Sequence, residues 1–349
     1  MHAILMLWLA GAAAAQTTGF DLYAEGAVLH RIEGEGGAIF YRRSPDAGGS
    51  WSEPARVDAG RPAPYRFGAG DARVAADGGT VLVVWSAKGT GPMGTGGLVV
   101  AKSTDAGRTW SAAASPSGDG VFGRRFPALT ASAGVFTAAW LDRRSNAKVM
   151  AARSSDGGAT WSTPALLDDD VCECCWNAAW SSGERTFVLY RDKDPRDMAV
   201  SATGDGKTWR SKPVSPFDWR FNGCPHVGGA LAERGGTLYS LVWTGKQPEM
   251  GLYAVGGEGA PRRLGGTGAK HGDLTAAGGR LAAVWDEDGA VWAATSADGR
   301  SWSRPRRLSG AKTRAAHPRV VPAGAAFRAF WLEKADDKSP ARLRDADIR

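Results

Sequence analysis

Apolar residues in this chain fall into short runs that end in an aromatic residue and give way at once to polar turns. Six such runs stand out: Val81 to Trp85, Phe136 to Trp140, Phe187 to Tyr190, Leu238 to Trp243, Leu281 to Trp285 and Phe327 to Trp331. A second set of short strands runs alongside them: Ala38 to Arg42, Leu98 to Lys102, Val149 to Arg153, Met198 to Ala202, Leu252 to Val255 and Val291 to Thr295. Helical periodicity is nearly absent, and Gly/Asp/Ser clusters separate the runs. The pattern therefore predicts an all-β chain built from repeated units.

The turns after the second set carry the repeat Ser-x-Asp-x-Gly-x-(Thr/Ser)-Trp. It is intact at Ser44 to Trp51, Ser103 to Trp110 and Ser154 to Trp161, and looser from Thr203 to Trp209 and Ser296 to Trp302. The tryptophans are roughly 50 to 60 residues apart, and the last gap is about two periods. A sixth, decayed copy is therefore expected near Ala254 to Pro261. These motifs resemble the BNR/Asp-box repeats of the sialidase superfamily over nearly the whole mature chain. The resemblance implies a propeller and assigns the Asp-box side chains to their own turns rather than to catalysis. The first Asp motif precedes any aromatic-ended run, and the last run has no motif after it. This offset predicts a six-bladed β-propeller closed by N- and C-terminal strands sharing one blade, in a single domain over residues 16–349.

In the family the Asp box joins the third and fourth strands of a blade. The segments entering each innermost strand must then gather on the opposite face, and these entrances are expected near Asp71, Arg125, Cys175, Cys224, His271 and His317. All four cysteines lie at two successive entrances: Cys172, Cys174 and Cys175 in one, Cys224 in the next. His226, His271 and His317 open three successive blades, and only His30 of the mature chain's histidines lies elsewhere. Two readings stay open. Disulfides suit an exported protein, and a bridge from the Cys172–Cys175 loop to Cys224 would staple neighbouring blades. Alternatively, the thiolates and imidazoles hold a thiophilic metal, copper first and zinc second.

Charged loops join the second and third strands on the same face. The run from Arg191 to Asp197, and Asp142 to Arg144 one blade earlier, interleave Arg and Asp. Such runs make ion-pair networks or orient metal-bound imidazoles, so Arg191, Asp192, Arg196 and Asp197 join Arg125 as candidate ligand-binding or supporting residues. A sialidase further requires three arginines on the substrate carboxylate and a tyrosine nucleophile. Arg125-Phe126-Pro127 is the nearest echo of the family's Arg-Ile-Pro, Arg73 and Arg319 are possible clamps, and no tyrosine follows Tyr253. The expectation is a non-hydrolytic ligand-binding propeller with a metal site. An exo-glycosidase of sialidase type and a disulfide-stapled adhesion or scaffold module are the alternatives.

Charge and composition add little that is specific. The net charge of +7 is spread along 349 residues, which argues against a nucleic-acid stripe. Partners are therefore expected to be a metal, a small molecule or a glycan. Residues 1–15 read as a secretory signal, with an apolar stretch from Ala3 to Leu9 and Ala13-Ala14-Ala15 before Gln16. Export to a periplasmic or extracellular location follows, with no membrane-spanning segment.

Overall fold

A computed structural model describes residues 16–65, 71–91, 94–118, 123–257 and 259–349. The expected signal segment lies outside these residues. Within them the chain folds as seven antiparallel sheets in a ring, so the expected six-bladed count is corrected to seven. The blades cover residues 17–56, 72–113, 124–168, 178–213, 230–265, 270–307 and 314–348. The first six have four strands and the seventh has three.

The miscount has a local cause. Residues 17–56 form a complete first blade, not the missing part of the last one. Its opening strands, Thr17–Glu25 and Val28–Glu35, bury Phe20, Leu22, Leu29 and Ile32. Polar Asp21, His30 and Glu33 are interspersed among them, and neither strand ends in an aromatic residue. They are satisfied inside the protein; Glu33, for example, pairs with Arg31 at 2.7 Å. The polar residues hide the apolar alternation that marked the other blades.

Ring closure also differs from the shared blade. Phe20, Leu22 and Leu29 of blade one pack against Val321, Phe330, Leu332 and Ala341 of blade seven. Trp51 meets Phe330 edge-on at 6.0 Å, and the Thr17 amide donates to the Ala341 carbonyl at 3.4 Å. Side-chain packing between two complete sheets thus closes the circle. Aromatic residues of the second strands fill the other interfaces: Trp85, Trp140, Trp285 and Tyr190 are fully buried. Buried Phe136 and Phe327 add about 2–3 kcal/mol each relative to exposure.

The Asp motifs work as turns. Ser103 Oγ donates to Asp105 Oδ1 at 2.8 Å and accepts from the Gly107 amide at 2.8 Å. Thr109 donates to Asp105 through its amide and its hydroxyl, at 2.9 and 2.6 Å. Those bonds, led by the Thr109 hydroxyl, pull Asp105 down to about 2. Gly107 sits at φ +86°, and a Cβ there would fall 1.8 Å from Tyr41 Cε1 of the preceding blade. Glycine is required both by the backbone and by the blade next door. The decayed copy corresponds to the turn between strands Gly251–Gly256 and Arg262–Gly265.

Candidate metal and ligand site at the channel mouth

The innermost strands run from the mouth toward the Asp-box face, so the segments before them crowd the mouth. Just before the inner strand of blade four, the chain is tied by a bridge between Val171 and Asp192 and by the Cys172 amide donating to the Arg191 carbonyl at 3.0 Å. The short loop that follows turns three cysteines inward. Cys172, Cys174 and Cys175 are buried, with Cys172 Sγ 3.5 Å from Cys174 Sγ and 3.6 Å from Cys175 Sγ. All four cysteines are unbridged. Exposed Cys224 and His226, from the loop entering blade five, complete a second triad with Cys174. Its ligand atoms lie within 4.8 Å of one another.

Contacts with Cys174 and then Cys175 hold Cys172 far below the ordinary thiol range, and the Arg196 charge acts in the same direction. The contact with Cys172 pushes Cys174 upward, and burial pushes Cys175 up to about 11. One thiolate is thus favoured, while further ionisation requires added positive charge.

The charged run behind the cysteines forms ion pairs with neighbouring segments, Lys193 with Asp170 at 2.7 Å and Asp194 with Arg220 at 2.8 Å. It also grips the backbone of the neighbouring loop. Arg191 is 2% exposed, and its guanidinium donates to the carbonyls of Arg196 (2.6 Å), Val227 (3.1 Å) and Trp243 (3.0 Å). Arg196 donates through Nε to the Phe221 carbonyl and through its amide to the Trp219 carbonyl. Asp197 Oδ2 accepts the Phe217 and Asp218 amides at 3.0 and 2.7 Å, and burial raises its pKa. Asp192 caps Lys193 at 2.7 Å and is likewise raised by burial. Arg191, Arg196 and Asp197 therefore fix the loop that delivers Cys224 and His226, while Asp192 holds its own turn. Arg125 lies away from this group. Its contacts are Asp71 at 3.4 Å and the faces of Tyr65 and Phe126.

His271 and His317 form a separate cluster at the entrances to blades six and seven. Each occupies a left-handed conformation, φ 47° and 55°, where the inner strand's pairing register shifts. Phe126 has the same conformation (φ 52°) at the corresponding break in blade three. Such bulges insert a residue and re-aim the side chain. The two imidazoles are 4.0 Å apart between centroids. Asp286 Oδ2 accepts from His271 Nδ1 and from the His317 amide, both at 2.7 Å.

Two members of the mouth were not anticipated from sequence. Trp176 follows Cys175 and stacks on His271 at 5.4 Å. Asp286 ends an aromatic-ended strand. By register its counterpart in blade three is Leu141, so no recurring acidic residue marked this position in the sequence.

Below the mouth lies a channel cavity of about 340 Å³, lined in part by Asp21, Arg73, Asp273 and Arg319. Arg319 pairs with Asp21 at 2.8 Å and with Asp273 at 3.6 Å, while Arg73 pairs with Asp21 at 3.6 Å. Both arginines proposed as clamps are thus committed to carboxylates of the protein. Tyr23 lines the cavity toward the Asp-box face and donates to the Ala131 carbonyl at 2.7 Å.

The profile of the BNR repeat-like domain matches residues 23–218, more than half of the chain. The chain belongs to the BNR repeat-like family. Solved structures similar to this BNR-repeat propeller agree on the fold. A protein of unknown function from Dyadobacter fermentans superposes with TM-score 0.55 and 15% identity, covering 80% of this chain and 94% of the other. The GH93 α-L-arabinofuranosidase of Fusarium graminearum gives 0.54 and 15%, covering 79% and 92%. Trypanosoma rangeli sialidase gives 0.53 and 12%, covering 96% of this chain but 55% of its own. The sialidase-like propeller is therefore shown as an architecture, and identities this low carry no more than the fold. No curated protein matches the chain in sequence. Among the described residues no helix is long and apolar enough to cross a membrane.

Proposed function

We propose that this BNR-repeat propeller is an exported, non-hydrolytic ligand-binding protein that holds a thiophilic metal ion at its channel mouth. The observation that carries the reading is the sulfur geometry. Thiolates about 2.3 Å from a common ion at tetrahedral angles stand roughly 3.8 Å apart. The Cys172 sulfur is already 3.5 and 3.6 Å from its two neighbours. Cys224 and His226 add two solvent-facing donors beside Cys174, and a cation supplies the positive charge that further thiol ionisation requires. Sulfur-rich ligation favours copper(I), then zinc.

Against glycoside hydrolysis stand Arg73 and Arg319, neutralised by Asp21 and Asp273, and the absence of any tyrosine after Tyr253. The test is metal analysis of anaerobically purified protein together with a count of reactive thiols after denaturation. Stoichiometric copper or zinc is expected, with one equivalent lost in Cys172→Ser. Metal-free protein that binds neither ion, with its cysteines paired in disulfides, would overturn the reading in favour of a stapled adhesion module. Turnover of a fluorogenic sialoside, abolished by Arg319→Ala, would restore the sialidase alternative.

A further inference from the structure

The cysteine group and the histidine pair do not form one coordination sphere: they share no residue, and each has its own supporting contacts. We infer that His271 and His317 form a second, imidazole-type metal site, positioned by Asp286 and covered on one side by Trp176. It would take a borderline divalent ion such as copper(II) or zinc, not the soft ion suited to the thiolates.

Four features of the molecule carry this. First, His271 Nδ1 faces the Asp286 carboxylate at 2.7 Å, which orients the ring and leaves Nε2 as the nitrogen available to an ion. Metal-binding histidines are oriented by carboxylates in this way. Second, the same Asp286 oxygen takes the His317 amide at 2.7 Å, so one carboxylate fixes both donors across two blades. Third, His317 Nδ1 is buried without a hydrogen-bond partner. Fourth, one ligand atom from each of His271, Asp286 and His317 lies within 4.8 Å of the other two.

Surrounding charge permits a cation. The cleft of about 40 Å³ that both rings border is also lined by Arg73 and Arg319. Asp21 and Asp273 already balance those guanidiniums. Trp176 links the two sites physically. It follows Cys175 in the chain, stacks on His271, and lies so close to Gly228 that a Cβ there would stand 2.2 Å from the indole.

The inference goes beyond the thiolate reading and does not depend on it. Copper(II) is titrated into the full chain carrying Cys172→Ser, Cys174→Ser, Cys175→Ser and Cys224→Ser, which removes both the thiolate site and the thiols that would reduce the ion. One bound ion per chain with a two-nitrogen electron paramagnetic resonance pattern is expected. Adding His317→Ala should weaken binding by about tenfold to 100-fold and leave a one-nitrogen pattern. No bound ion, or an unchanged pattern in His317→Ala, would overturn the inference.

Zinc stoichiometry in the chain with its cysteines intact guards against misfolding of the quadruple variant. Two equivalents, reduced to one by His317→Ala and to one by Cys172→Ser, support both sites. A single equivalent that survives His317→Ala but not Cys172→Ser overturns this inference and spares the thiolate site. The converse result spares this inference and overturns the thiolate site.

Discussion

Arg191→Met should damage both stability and metal affinity, because one side chain supports the fold and the arm of the site together. The guanidinium serves three backbone carbonyls, those of Arg196, Val227 and Trp243. Val227 follows His226 directly. Methionine fills the space of the stem but donates nothing, so three buried carbonyls lose a charged donor. At about 1–3 kcal/mol for each, with partial relaxation, the loss is about 4 kcal/mol. For a domain of this size the melting midpoint should fall by about 6 °C. With the Cys224 and His226 arm loosened, zinc affinity should drop about tenfold to 100-fold. Thermal melts followed by tryptophan fluorescence and competition with a chromophoric chelator measure the two effects. Arg191→Lys should lie between, since an ammonium keeps the charge without the planar fork. An unchanged midpoint would refute the carbonyl grip, and a lowered midpoint with unchanged affinity would refute its connection to the metal site.

Other perturbations separate the remaining parts of the account. Buried His30 accepts or donates at 2.7 Å to Tyr41, and burial lowers its pKa to about 4 despite the Glu25 carboxylate nearby. The unfolded chain then binds a proton that the folded chain refuses. His30 therefore contributes stability that is full above pH 6.5 and is lost as pH falls toward 4. The size is up to about 3 kcal/mol, and urea midpoints across that range should lose part of their slope in His30→Gln, the remainder coming from groups such as buried His317; an unchanged slope would remove His30 as a source. Gly228→Ala should displace the Trp176 indole from His271 and cost about tenfold in metal affinity while the protein still folds, measured by chelator competition. Asp105→Ala should lower the melting midpoint without changing metal stoichiometry, because its bonds lie within a turn on the opposite face.

The sequence displayed the repeat clearly because each Asp motif closes its own turn, and the geometry of Ser103, Asp105, Gly107 and Thr109 is dictated locally. It concealed the first blade because Asp21, His30 and Glu33 are buried polar residues that interrupt the apolar alternation, and the partners of Asp21, Arg73 and Arg319, are distant in the chain. The cysteines could be placed at neighbouring entrances, since that follows from counting strands. Their division from His271 and His317 could not, because it depends on which side chains the curvature of seven blades brings together. Asp286 and Trp176 were overlooked for related reasons. One resembles the end of an ordinary strand, and the other is a single aromatic among 15 tryptophans. The Arg191 to Asp197 run was legible as charge but not as a set of backbone clamps, because its partners lie in the following blade.

X-ray absorption at the edge of the metal carried by anaerobically prepared protein tests the thiolate centre most directly. The account predicts a first shell dominated by at least three sulfur atoms at about 2.3 Å. A shell made only of nitrogen and oxygen, or a protein whose four cysteines are all oxidised and which takes up no copper or zinc after reduction, would contradict it.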